Sequence, residues 1–373
     1  MNSSKELLKV GIVGCGRVTE DLHLPSLQHV KGVEVFALAE LEEDRLNRVA
    51  DRFGVEQRYL RYEDLVKNPL VQIVAVCVPV ASHAEIALAA LEEGKHVFVE
   101  KPLALSLDEA DQIVERAAKT SLHCTVGFNL RSHRLVRDAR RIIRSGILGP
   151  IEMIRTVWTA GFNYGRQLPD WRYLRAKGGG ALFEIGTHHI DLWRFLTDAE
   201  VRTVYADSRS QLLEDQTSVV TARMSNGVLV SASFCQRTSD SHNIEVFGQK
   251  GRLTFSCYRA DSLAVFSALD LEGGMAVRLK SIAQKVYKFP DLLKAGLHGG
   301  DYLYSFRTQW CDFIGSILRN KPLPCTFKDG RRALQVVLSA IESAERGQRV
   351  NIAETHRVSS KGHSFQEVKD DER

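Results

Sequence analysis

Leu8-Lys9-Val10-Gly11-Ile12-Val13-Gly14-Cys15-Gly16-Arg17-Val18-Thr19 is a short apolar run that passes straight into a turn holding two glycines one residue apart. A dinucleotide fingerprint belongs in this place, between the first strand and first helix of a doubly wound sheet. Gly14 allows the tight turn. Gly16 lets the backbone approach a pyrophosphate at a helix N-terminus, whose N–H groups and dipole favour an anion. The third position is Thr19, where glycine or alanine is usual, so the motif takes its weight from the elements downstream of it. After a helix predicted around Leu22 to His29, a second strand, Val33 to Ala39, ends in Glu40. An acid there accepts both hydroxyls of an adenosine ribose and repels a 2′-phosphate. Leu41, Glu42, Glu43 and Asp44 supply no immediate cation, so NAD is favoured over NADP.

The alternation continues. Ile73 to Val78 is a continuous apolar run, as in a strand buried on both faces, and stops at Pro79. Ser82-His83-Ala84-Glu85 reads as a capping box opening a helix that Gly94 closes, and Ser106 to Glu109 reads as a second one. Between them Lys95 to Val99 forms a strand that meets Glu100-Lys101-Pro102, and His123 to Val126 adds one more. This pattern predicts an α/β Rossmann domain, a doubly wound parallel sheet, over residues 1–128. Lys101 falls just past a strand's C-terminal end, where open α/β sheets bind ligands. An ammonium there can hydrogen-bond a substrate oxygen during hydride removal, although a Lys-Pro pair also serves as plain surface punctuation.

From Asn129 the pattern changes. A basic amphipathic helix, Arg134 to Ser145, is followed by strand-like runs at Ile151 to Thr159, Val201 to Asp207, Ser218 to Met224, Val228 to Cys235 and Asn243 to Phe247. Residues 129–353 are expected to form an α+β domain with an open, largely antiparallel sheet, and 354–373 a polar tail. Phe306, Trp310, Phe313, Ile314 and Ile317 mark an amphipathic helix, and Ala333 to Ile341 an apolar one. Residues 278–297 interleave lysines with Val286, Tyr287, Phe289, Leu292 and Leu293, suiting a solvated insertion, a membrane-surface segment or a lid over an anionic substrate.

Within the second domain, Gly178 to Asp191 is a glycine run leading into a helix. At about 100° per residue, Glu184, His188 and Asp191 share one face. A carboxylate beside an imidazole suits proton transfer near neutral pH, and equally suits a structural ion pair. Glu184 and His188 also have the i, i+4 spacing of helix-borne metal ligands, but no second ligand cluster accompanies them, and no metal is expected.

Composition bounds these readings. The 373 residues suggest two domains, and 50 basic against 46 acidic residues are too balanced for nucleic acid as a main partner. Seven scattered cysteines without a Cys-x-x-Cys suggest a reduced, cytoplasmic protein. No signal-peptide core or membrane span is read in the sequence.

Gly14-Cys15-Gly16-Arg17-Val18 with His23-Leu24-Pro25, Gly94 through Pro102, Gly127-Phe128-Asn129 with Arg131, and the 178–191 run together resemble the glucose-fructose oxidoreductase/inositol dehydrogenase (Gfo/Idh/MocA) family. The resemblance runs from about Val10 to Ile352. It implies a bound nicotinamide cofactor, hydride exchange at a secondary alcohol of a sugar, cyclitol or related small molecule, and a homodimer or homotetramer formed through the open sheet. It implies that Lys101 matches the family's catalytic lysine and His188 its histidine near the reacting hydroxyl, with Glu184 standing where aspartate is usual. By the same resemblance Arg17, Val18, Pro79, His83, Glu100 and Asn129 join Gly14, Gly16, Glu40 and Lys101 near the cofactor. Arg131, Trp171, Arg172 and Asp191 join His188 in the substrate pocket. A cofactor-binding regulator, an NAD-dependent glycosidase and a redox-recycling enzyme with tightly held cofactor are the alternatives.

Overall fold

The computed structural model describes residues 7–161, 169–258, 263–270 and 300–352, with the single positions 274, 279 and 296. The polar tail and, apart from positions 279 and 296, the 278–297 segment lie outside the described residues.

Six strands form the first sheet: β1 (Leu8–Val13), β2 (Val33–Ala39), β3 (Gln57–Tyr59), β4 (Ile73–Val76), β5 (His96–Val99) and β6 (Cys124–Val126). All pair in parallel, in the order β3-β2-β1-β4-β5-β6. Every residue of β4 is buried, the reason its sequence shows no polar alternation. Between strands run α1 (Leu24–Leu27), α2 (Glu43–Phe53), α3 (Tyr62–Lys67), α4 (His83–Glu92) and α5 (Leu107–Ala118). Strand order reverses between β1 and β4, so the loops after β1, β2, β4, β5 and β6 share one edge, the ligand-binding edge of such sheets.

Local signals were met unevenly. At α5, Ser106 Oγ accepts from Glu109 N and Glu109 accepts from Ser106 N, a complete capping box. At α4 the expected box does not form. A 3-10 turn, Val80–Ser82, leads straight into the helix and gives Ser82 φ −102°, ψ 1°, where an N-cap needs extended backbone. Glu85 instead accepts the Tyr62 hydroxyl at 2.7 Å.

The second sheet has eight strands: β7 (Ile151–Gly161), β8 (Val201–Arg209), β9 (Thr217–Met224), β10 (Leu229–Cys235), β11 (Arg237–Gly248), β12 (Gly251–Phe255), β13 (Ala264–Ser267) and β14 (Val350–Asn351), in the order β13-β12-β11-β7-β10-β9-β8-β14. It is antiparallel except where β7 and β10 run side by side in parallel. Alternate residues Ile154, Thr156, Trp158 and Ala160 of β7 are buried, as are Val230, Ala232 and Phe234 of β10. They face α7 (Thr187–Thr197) and α9 (Phe327–Arg346). The other face leaves Met153, Tyr205, Val219 and Leu229 exposed. Ahead of β7 lies α6 (Arg134–Arg144), the basic helix.

One helix departs from the expected division of the chain. The amphipathic segment around Trp310 is α8 (Asp301–Arg319), and its Trp310, Phe313 and Ile314 pack with Ile12, Leu38, Ile73 and Phe98 beneath the first sheet. Phe98 stacks on Trp310 at 4.6 Å between centroids, a geometry contributing about 0.5–1.5 kcal/mol beyond area burial. Apolar periodicity announces such a helix but not which sheet it covers.

Several histidines are buried as neutral rings. Burial, aided by His123, pushes His96 down to about 4, while burial pushes His133 down to about 4 and His189 to about 3. Unfolded imidazoles titrate near about 6.5, so below that pH the unfolded chain binds more protons than the folded one. The stability these three rings contribute is expected to be fully present above about pH 6.5 and to fall steadily towards pH 4, measured as the thermal midpoint across that window. A midpoint flat over the window would show that these rings are not held neutral.

Candidate active site

At the end of β1, Gly14 has φ +96°, and a Cβ there would strike the Cys77 carbonyl, so only glycine fits. Nothing lies within 4 Å of a Cβ built at Gly16, which leaves its backbone open to a ligand. Thr19, the unusual third position, is buried and its Oγ1 donates to the Gly14 carbonyl at 2.7 Å, bracing the turn from inside. The helix predicted around Leu22 to His29 begins and ends earlier, as a π turn at Thr19–His23 that runs into α1. Arg17 is held to Asp21 at 3.2 Å and Val18 is exposed, both at the rim. The open turn and its acid therefore fit a dinucleotide.

Glu40 follows β2 and bends back to the glycine turn, accepting from Cys15 N at 2.9 Å and Glu42 N at 3.3 Å. Arg45 Nη1 lies 3.4 Å from the same carboxylate. The cation absent from positions 41–44 thus arrives one residue beyond them, from the first turn of α2.

After β4 and β5 the chain is stapled by His83, whose ring nitrogens lie 2.9 Å from the Val78 carbonyl and 2.8 Å from the Pro102 carbonyl, on either side of Pro79 and Lys101. Burial pushes this imidazole's pKa down, and the two carbonyls oppose the shift. Glu100 accepts from Lys101 N at 3.1 Å and from His23 Nε2 at 2.9 Å. The indole N–H of Trp310 can only donate, and it meets His23 Nδ1 at 3.0 Å, so Nδ1 is the acceptor and Nε2 carries the proton shared with Glu100. Asn129, after β6, is buried and donates to Ser305 Oγ of α8 at 2.9 Å.

Lys101 Nζ crosses to the second domain and donates to the backbone carbonyl of Glu184 at 2.7 Å. Burial lowers its pKa; Glu100 and Glu184 oppose this, and Arg172 adds to it. Glu184 sits in a π turn, Leu182–Gly186, ahead of α7. That wider turn breaks the 100° spacing on which a shared Glu184–His188–Asp191 face depends. The Glu184 carboxylate turns to Arg172 Nε at 3.1 Å, beside Trp171. Burial raises its pKa, and Arg172 and Lys101 oppose that. Asp191 goes elsewhere: both its oxygens accept from Arg131, Oδ2 at 2.7 Å and Oδ1 at 2.6 Å, in a buried pair that also touches Arg194.

His188 therefore stands among aromatic rings, without a carboxylate partner among the described residues. Phe128 lies 6.2 Å and Trp158 5.8 Å from it between centroids, and its Nδ1 is buried with no hydrogen-bond partner among the described residues. Burial first, then Lys101, His189 and His242, holds its pKa well below the usual imidazole range. The ring is a neutral base at neutral pH. Trp158 continues into His242 and Tyr258, which no sequence motif marks; alternation along β7 identifies Trp158 as inward but not what it faces. Among the described residues no cluster of three or more His, Cys, Asp or Glu side chains could hold a metal ion.

The glycine turn and Glu40 form an edge that fits a dinucleotide, with Lys101 at the same edge, and the protein is an oxidoreductase of the dehydrogenase class. Comparison with known proteins narrows this. Residues 8–128 match the model of the oxidoreductase family with an NAD-binding Rossmann fold, and residues 136–254 that of the GFO/IDH/MocA C-terminal domain. The chain belongs to the Gfo/Idh/MocA family. It is 27% identical over 357 residues to a myo-inositol 2-dehydrogenase of Thermotoga maritima, covering 93% of this chain and 99% of that one. It is 32% identical over 255 residues to an inositol 2-dehydrogenase of Salmonella paratyphi B, covering 65% and 72%. A levoglucosan dehydrogenase solved with NADH and levoglucosan shares the fold with a TM-score of 0.80 at 23% identity, over 94% of this chain and 100% of that one.

Proposed function

We propose that the protein oxidises a secondary alcohol of a cyclitol, sugar or sugar derivative with NAD, Lys101 and His188 handling the hydroxyl. The observation that carries this is the Lys101 ammonium at the C-terminal edge of the first sheet, which donates to the Glu184 carbonyl and helps to hold the nearby His188, buried and carboxylate-free among the described residues, as a neutral ring. His188 takes the hydroxyl proton, and Lys101, aimed by the Glu184 carbonyl, steadies the oxygen as charge develops. A nicotinamide cofactor held at the glycine turn and Glu40 would supply the hydride acceptor. Glu184 acts through Arg172, holding it and Trp171 over the pocket. Arg131 and Asp191, paired with each other, set the position of α7 instead of meeting substrate. His83 and Asn129 shape the loops that receive the cofactor. Names of the relatives support the substrate class, since two act on inositol. Screening inositols, polyols, aldoses, anhydrosugars and sugar nucleotides for NADH formation tests the reading, and turnover of none of these classes despite NAD binding would refute it.

Glu40 supports NAD over NADP, its carboxylate standing where a 2′-phosphate would be repelled. Glu40→Ala is expected to shift the ratio of kcat/KM for NADP over NAD upward by about tenfold or more, since the repelling carboxylate is gone and Arg45, still paired with Glu42 through Nη2, has its Nη1 free for the phosphate. Steady-state kinetics with both cofactors decide it; an unchanged ratio would remove Glu40 from cofactor selection.

The exposed Val219, Leu229, Tyr205 and Met153 on the second sheet's uncovered face support a homodimer or homotetramer formed there, testable by light scattering on the purified chain. No helix among the described residues is long and apolar enough to cross a membrane. The seven cysteines are free thiols, which supports a reducing compartment, the cytoplasm.

A further inference from the structure

The basic helix α6 takes no part in the chemistry above, yet it forms one wall of a cleft of about 320 Å³ set apart from Lys101 and Glu184. Arg137, Arg140, Arg141 and Arg144 line it from α6, Arg131 joins them from the loop before the helix, and among the described residues Asp312 is the one acid in the lining. Carboxylates hold these guanidiniums in place: Asp312 pairs with Arg137, Asp198 with both Arg140 and Arg144, Asp138 with Arg141 and Asp191 with Arg131. Asp329 also reaches Arg131 at 3.1 Å, so five cations stand against five carboxylates; the cleft has no excess charge to draw a polyanion such as nucleic acid, and what it offers a small anion is unspent N–H donors. Each guanidinium has five N–H donors and no pair uses all of them. Arg140 Nε in particular is buried with no acceptor among the described residues.

The remaining walls are largely apolar, with Thr125, Ser132 and Gln309 among them. Phe128, Phe195, Phe313 and Leu323 contribute to the lining. Phe195 lies between two of the cations, with the Arg140 guanidinium 3.9 Å and that of Arg131 5.3 Å from its ring centroid. A cavity of about 150 Å³ is enough to hold benzene, so this one has room for a ring and an acidic group together.

We infer that this cleft is a second ligand site, distinct from the hydride-transfer site, and that it takes a small amphipathic organic anion: a ring or short apolar body carrying one carboxylate or phosphate. The anion meets the outward N–H groups of Arg140, Arg141 and Arg144, and the body lies against Phe195 and Phe313.

Calorimetric titration of the full chain with phenyl phosphate, in saturating NAD so that the glycine turn is filled, tests this. One molecule is expected to bind per chain, more weakly as salt rises. Arg141 and Arg144 have exposed side chains, so Arg141→Ala/Arg144→Ala should fold normally and weaken binding by about tenfold or more, the loss of one to two charge-assisted hydrogen bonds. Inorganic phosphate and phenol, each carrying half of the recognised chemistry, are expected to bind at least about tenfold more weakly than phenyl phosphate. Phenyl phosphate binding that is absent, or unchanged in the double variant, overturns the site. Equal affinity for inorganic phosphate overturns its amphipathic character.

Discussion

Lys101→Ala is expected to lower kcat for alcohol oxidation by about 10²–10⁴-fold while NAD binding and secondary structure persist. The ammonium is delivered by a Lys101–Glu184 contact that joins the two domains, so no neighbouring group replaces it. The pH profile separates its role from that of His188. Burial holds His188 well below the usual imidazole range, so the limb it governs is the acid one, where kcat/KM falls as the ring protonates. Burial also lowers Lys101, so the alkaline fall, as the ammonium is lost, comes earlier than an ordinary lysine would give. His188→Ala should abolish the acid limb and Lys101→Ala the alkaline limb. Near-wild-type turnover in either variant would end the assignment.

The largest loss of stability is expected from Asp191→Asn. The change leaves the buried Arg131 guanidinium beside a neutral amide with Asp329, 3.1 Å away, as its remaining carboxylate, where burial opposes a charge that Asp191, Cys325 and Asp329 together had favoured. Breaking a buried pair from one side costs about 3–5 kcal/mol, and the urea midpoint should fall accordingly. An equivalent change at the exposed Glu342–Arg346 pair should barely move it. This experiment also discriminates between roles. If Asp191 contacts substrate instead of bracing α7, the variant keeps its midpoint and raises KM.

Much of the site was legible because it lies at strand ends. Gly14, Glu40, Glu100 and Lys101 each follow a strand whose apolar run is visible in the sequence, and a parallel sheet brings such ends to one edge. The 178–191 helix was legible as an ionisable segment but not in its pairings. A π turn has no clear sequence signature, and it separated Glu184 from His188 and from Asp191. Ser82 and Ser106 make the same point on a smaller scale: both precede a glutamate by three residues, and only the one with extended backbone caps its helix.

The sequence alone determined the alternation of strands and helices, the glycine turn, the acid after β2 and the lysine after β5, since these depend on local periodicity and backbone geometry. Only the tertiary structure decided which charges meet. Arg131 finds Asp191 across 60 positions, Lys101 finds the Glu184 carbonyl across 83, and α8 leaves the second sheet's part of the chain to cover the first. The physical reason is that ion pairs and helix docking are set by how two sheets are brought together, and the energy of a charge depends on its burial. Neither distance nor burial is written in the spacing of residues along the chain.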